Sequence, residues 1–114
     1  MTTQSKGKQM PKLINVQERE QLVESIRLVE ADLAKIGVTQ VLIFGSVAKA
    51  TQNQASDLDI LVHPEIENRT SEIEKILQAI TSRRIELVFL ARLAEPHKEE
   101  ILSTAISAIN SRTE

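Results

Sequence analysis

The 114-residue chain contains no cysteine, tryptophan or tyrosine, only two phenylalanines and only three glycines. Without cysteine there can be no disulfide, thiolate zinc site or cysteine nucleophile. Aromatic residues at 2% leave almost nothing from which to build a base-stacking platform for single-stranded nucleic acid. Gly7, Gly37 and Gly45 are too scattered for a Walker-type loop or a dinucleotide fingerprint. A basic excess is missing too: 14 Lys+Arg against 16 Asp+Glu give a net charge of −2, which argues against a protein whose main task is neutralising nucleic-acid phosphates. No segment approaches the roughly eighteen consecutive apolar residues of a membrane span. The start, MTTQSKGKQMPK, carries lysines without the apolar stretch of a secretory signal. A cytoplasmic protein with no membrane contact and no direct nucleic-acid binding is expected.

What is present is a 41% apolar share, enough for the core of one domain. Residues 1–12 read as a flexible polar tail and residues 13–114 as a single domain. From Asn15 the pattern turns helical. Asn15 is the candidate N-cap, Glu18 follows three residues later, and Leu22, Ile26, Val29, Leu33 and Ile36 share one face up to a C-cap at Gly37. Thr39 to Phe44 is an apolar, β-branched run bounded by glycines and reads as a buried strand. Asp57 to Val62 is a second strand, stopped by Pro64. Ser71-x-x-Glu74 is a capping-box pattern before the stripe Ile73, Ile76, Leu77 and Ile80. Arg84 to Leu90 is a third strand, and Pro96 opens a closing helix whose inner face would hold Ile101, Leu102, Ala105 and Ile109. The order predicts an α/β fold, a short mixed sheet of about three strands backed by helices.

Chemistry concentrates between Phe44 and Asp59. Gly45 ends a strand where a missing side chain lets backbone N–H groups approach a phosphate, and Ser46 adds a hydroxyl donor. Taken alone, Gly-Ser after a strand is most often a turn. Asp57 and Asp59 lie two apart in a strand, so they point to one face, about 6 to 7 Å apart along the backbone. Such an Asp-x-Asp can simply be a wet strand start, but the apolar Leu58, Ile60 and Leu61 around it suggest a covered strand, where two unpaired carboxylates are costly. A hard cation resolves that cost. Glu86, between Ile85 and Leu87, is a third acid out of place by strand preference. It fits an edge residue reaching water equally well. If the three strands pair side by side, Glu86 reaches the Asp57/Asp59 pair and completes a metal or general-base site.

Gly45-Ser46, ten intervening residues and Asp57-x-Asp59 resemble the signature of the polymerase-beta-type nucleotidyltransferase superfamily, in particular its minimal nucleotidyltransferase (MNT) members. A chance occurrence in a chain this long is on the order of one in a thousand. The resemblance runs from about Val41 to Ile109 and implies a small nucleotidyltransferase fold. It also implies the role of an MntA-like antitoxin in a HEPN/MNT toxin–antitoxin module, an Mg²⁺-dependent adenylyltransferase (AMPylator) that moves AMP from ATP to a tyrosine of a HEPN ribonuclease toxin. Carried over, Gly45, Ser46 and Lys49 would hold the triphosphate. Asp57, Asp59 and Glu86 would bind Mg²⁺, with Glu86 activating or orienting the acceptor hydroxyl.

Three positions depart from the family pattern. Ala50 stands where a second glycine is frequent, and a positive φ there would cost on the order of 1 kcal/mol. Glu86 replaces the commoner Asp, and Val47 a position often charged. Ala50 and Glu86 feed a second reading, a weak or inactive antitoxin of the same fold that acts by binding and occlusion. A transferase acting on a small molecule is a third, which the short chain and scarce aromatics oppose. His63 and His97 lack metal-ligand spacing. Arg83-Arg84 reads as surface solvation before it reads as a phosphate contact.

Overall fold

A computed structural model describes residues 12–110, so the tail expected over residues 1–12 lies, but for Lys12, outside the described residues. The helical stripe of the N-terminal part folds as two segments, α1 (Leu13–Leu28) and α2 (Glu30–Ile36), instead of the single helix its spacing predicts. At Val29 the N–H bonds the Ile26 carbonyl, a tightened i−3 bond, at φ −103° and ψ 15°. The kink lets Leu22, Val23 and Ile26 of α1 and Leu33 of α2 all reach the core. Asn15 is not the cap: α1 starts two residues earlier, after Lys12, with no side-chain cap bond. Gly37 does close α2, at φ +112°, where a side chain would be strained and would also press on Ile66.

The chain continues through β1 (Gln40–Phe44), α3 (Gly45–Lys49), β2 (Leu58–His63), α4 (Thr70–Gln78), β3 (Ile85–Phe89), a 3-10 turn at Leu90–Arg92, α5 (His97–Thr104) and β4 (Ile106–Asn110). The strands form a mixed sheet in the order β3-β2-β1-β4, with β1 antiparallel to β2 and β4, and β2 parallel to β3. The three expected strands are in place and a fourth joins them. The closing helix is shorter than its apolar spacing suggests, because Ala105 turns extended and Ile109 belongs to β4. The physical reason lies across the fold: β1 carries the fully buried Val41 and Ile43, and without β4 its outer backbone groups would have no partner. The capping box at Ser71 does not form either. Arg69 flanks α4 without a side-chain cap bond and pairs with Glu72 at 2.7 Å.

Strand β2 is the spine. Leu58, Ile60 and Val62 are buried on the face that joins the main core, and Leu61 is fully buried on the opposite face, so both sides of the strand are covered. Each such side chain contributes about 1.5–3 kcal/mol by leaving water. Ile73 and Leu77 of α4 and Ile26 and Leu33 close over the first face. The strand that carries Asp59, and that Asp57 immediately precedes, is therefore among the best-packed parts of the molecule.

Ala50 ends α3 in the left-handed conformation, φ 61° and ψ 36°, and is fully buried. Relief of that strain by Ala50→Gly is worth about 1 kcal/mol, offset by about 0.8 kcal/mol for the lost methyl burial. The expected shift in urea-unfolding free energy is therefore under about 1 kcal/mol, whereas β-branched, overpacked Ala50→Val costs about 2 kcal/mol or more.

Candidate active site

The register of the sheet assembles the acids. Asp59 pairs with Glu86 across the parallel β2/β3 ladder and with Phe44 across the antiparallel β1/β2 ladder. Directly paired residues share a face, so Asp59 and Glu86 meet on the face that also carries Leu61. Asp57, two residues upstream, joins them, and one carboxylate oxygen from each of Asp57, Asp59 and Glu86 lies within 4.8 Å of the others. Asp57 and Asp59 are half-buried and Glu86 is exposed on β3, a sheet edge. Leu58 N–H bonds the Arg84 carbonyl at 2.8 Å, which brings the Arg84 guanidinium to 3.3 Å from Asp57.

Gly45 follows Phe44 and sits against Asp59. It has φ +74°, and a Cβ built there would fall 2.1 Å from Asp59 Oδ2 and 3.1 Å from its Cγ. The glycine is thus required twice, by backbone conformation and by space. Ser46 is half-buried in the first turn of α3, and Lys49 is exposed in its last residues. His63 and His97 lie on different elements, the end of β2 and the start of α5, and neither joins the acids.

Electrostatics mark Asp59 out. Partial burial, then the nearby charge of Glu86, then that of Asp57 push its carboxyl up to about 6 from an ordinary 3.8. Three hard oxygen donors that repel one another fit a divalent cation, which would relieve the repulsion.

A second set of polar residues surrounds the loop between Ser46 and Asp57. Asn15 Nδ2 donates to the carbonyls of Ala50 and Gln52, both at 3.1 Å, and Arg19 Nη1 to that of Ala48 at 2.8 Å. Arg83 Nη1 donates to the carbonyls of Asn53 and Ser56 at 2.9 and 2.7 Å. Glu18 accepts two bonds from Arg83, 2.6 and 3.0 Å, and one from Gln52 Nε2 at 2.9 Å. The Arg83 hydrogen bonds hold the Glu18 carboxyl below its usual range. Sequence reasoning read Asn15 and Glu18 as a helix cap and Arg83 as solvated surface. No local signal marks the pair, since Glu18 lies between Gln17 and Arg19 and Arg83 between Ser82 and Arg84.

A family model described as a nucleotidyltransferase domain matches residues 25–109. Among solved structures, a minimal nucleotidyltransferase is similar at 33% identity, covering 74% of this chain and 93% of that one, with a TM-score of 0.59. A toxin-antitoxin with AMP-PNP is similar at 19% identity, covering 79% of this chain and 74% of that one, with a TM-score of 0.61. A mutant toxin-antitoxin, MntA-HpeT, is similar at 18% identity over 80% and 74% of the two chains, also with a TM-score of 0.61. Comparison with curated protein sequences gave no match.

Two measurements probe the crowding of the acids. Between about pH 3.8 and about 6 the native state keeps a proton on Asp59 that the unfolded chain has lost. Stability of the metal-free protein therefore falls as pH rises through that window. Denaturant midpoints taken in chelator should show this slope, and Asp59→Asn should flatten it and raise the midpoint at pH 7. Gly45→Ala should cost about 1–2 kcal/mol from the left-handed backbone alone. It should also weaken Mn²⁺ binding in a calorimetric titration, because the new methyl displaces the Asp59 carboxylate.

Proposed function

The chain belongs to the nucleotidyltransferase domain family, and from that premise we propose that it is a protein adenylyltransferase, an antitoxin that transfers AMP from ATP to a tyrosine of a cognate HEPN ribonuclease toxin. The observation that carries the reading is the meeting of Asp57, Asp59 and Glu86 within 4.8 Å on adjacent strands, with Gly45 directly against Asp59. The fold likeness to a toxin-antitoxin with AMP-PNP supports both the nucleotide and the kind of partner.

The chemistry asks little of covalent catalysis. The tyrosine oxygen forms a bond to the α-phosphorus, the bond from that phosphorus to the oxygen bridging the β-phosphate breaks, and pyrophosphate leaves. Asp57 and Asp59 would hold Mg²⁺ together with Glu86, and the ion when bound neutralises charge on the triphosphate. Glu86, the exposed member on the sheet edge, would accept the proton of an arriving hydroxyl. Gly45 leaves backbone room beside the acids, Ser46 offers a hydroxyl to the phosphates, and exposed Lys49 a mobile positive charge. The acceptor hydroxyl would be brought to the acids by the partner protein docked on the exposed sheet edge that carries Glu86.

Ala50 lends no support to the occluding, inactive alternative, because it adopts the left-handed backbone that a glycine would take. Incubation of the toxin with ATP, Mg²⁺ and substoichiometric amounts of this protein should add adenylate mass to a toxin tyrosine. Asp57→Asn combined with Asp59→Asn should lower that transfer by about 10²-fold or more while leaving the circular dichroism spectrum unchanged. Inhibition that requires full stoichiometry and leaves no mass gain would overturn the enzymatic reading in favour of occlusion.

A further inference from the structure

The loop that joins α3 to β2 has to deliver Asp57 to the acid cluster, yet it has little apolar anchorage of its own. Asn53, Gln54 and Ala55 are exposed, and beyond Ala50 its one deeply buried residue, Gln52, is polar. Its local bonds lie in two short turns: Thr51 donates to the Ser46 carbonyl from N–H at 2.9 Å and from Oγ1 at 3.5 Å, Asn53 Oδ1 accepts from Ala55 N–H at 2.8 Å and from Ser56 Oγ at 3.3 Å, Ser56 Oγ accepts from Asn53 N–H at 2.9 Å, and the Asn53 carbonyl accepts from Ser56 N–H at 3.2 Å. Its ties to the rest of the fold come from side chains outside it. The carbonyls of Ala48, Ala50, Gln52, Asn53 and Ser56 are taken by Arg19, Asn15 and Arg83, which belong to α1 and to the segment just before β3.

Arg83 has a particular place in this arrangement. It precedes Glu86 by three residues and its guanidinium grips the Ser56 carbonyl, the residue immediately before Asp57. It therefore ties the strand that bears Glu86 to the loop end that bears Asp57. Glu18 fixes the guanidinium from behind with two bonds, and the ion pair is largely shielded, with side-chain exposures of 13% for Arg83 and 33% for Glu18. A planar fork that binds a carboxylate on one edge and two carbonyls on another cannot be reproduced by the point charge of a lysine. We propose that Arg83 and Glu18 are positioning residues that set the spacing of Asp57 relative to Asp59 and Glu86, and thereby the affinity of the acid cluster for a divalent cation.

This inference rests on the metal-binding part of the proposed function, and the test separates the two. The full chain, its Arg83→Lys and Glu18→Gln variants, and the core control Ile73→Val are titrated with Mn²⁺ alone, and backbone amide hydrogen exchange is followed over residues 47–57. Arg83→Lys should bind Mn²⁺ at least about tenfold more weakly, as loss of a partner that orients a ligand does, and its loop amides should exchange faster. Glu18→Gln, which keeps an acceptor for Arg83 and for Gln52, should fall between Arg83→Lys and the wild type. Ile73→Val should lower Tm without moving either readout. Wild-type Mn²⁺ affinity in Arg83→Lys, or wild-type exchange over the loop in both variants, overturns the proposal. If the unaltered protein binds no Mn²⁺, the metal-dependent reading of the site and the cation part of this inference fall together. The exchange data then decide separately whether Arg83 and Glu18 hold the loop.

Discussion

Asp59 is paired on the inner strand β2 with Phe44 on one side and Glu86 on the other, which sets its carboxylate beside like charges. Gly45 permits this by having no side chain at the place the carboxylate occupies. The rest of the site is arranged around that enforced proximity. The left-handed turn at Ala50 sends the chain out of α3, and the loop returns it so that Asp57 arrives on the same face two residues ahead. Burial first, and then the charges of Glu86 and Asp57, push the Asp59 carboxyl up to about 6.

Such an arrangement lowers stability, and the fold has to offset it elsewhere. The burial pattern of β2 shows where: the side chains that alternate with the acids, Leu58 and Ile60, are fully buried, as are Leu61 and Val62 beyond them. Hydrophobic burial on both faces of the strand anchors a backbone that charge repulsion would otherwise loosen. Placing Asp59 on a strand packed on both faces lets burial and repulsion raise its pKa instead of moving the chain. This is the division of labour expected of a site built on rigid elements.

Much of the molecule was legible in local sequence because the deciding contacts are local. The β-branched and apolar runs VLIF and ILV, the glycine punctuation at Gly37 and Gly45, and the two-residue spacing of Asp57 and Asp59 each express a rule that acts over a few residues. What escaped it depends on distant partners. Ile106 to Asn110 becomes a strand because β1 needs a neighbour, and its own spacing suits a helix face equally well. Asn15 and Glu18 look like a capping pair, yet their side chains reach 35 and 65 residues along the chain, to Ala50 and Arg83. The break at Val29 likewise serves packing that no window of α1 contains.

The pairing of β1 with β4 carries a consequence for how the protein is made. Gln40 meets Asn110 in that ladder, so the outer flank of the strand that leads into Gly45 stays open until some seventy further residues have been synthesised. Over that interval the nascent chain presents a β-branched, apolar strand edge of the kind that recruits other chains. The same long-range closure gives the sheet a high contact order and hence slow folding for its size. During synthesis the protein therefore exposes the apolar edge of β1 to premature association until β4 docks and takes over as the outer strand.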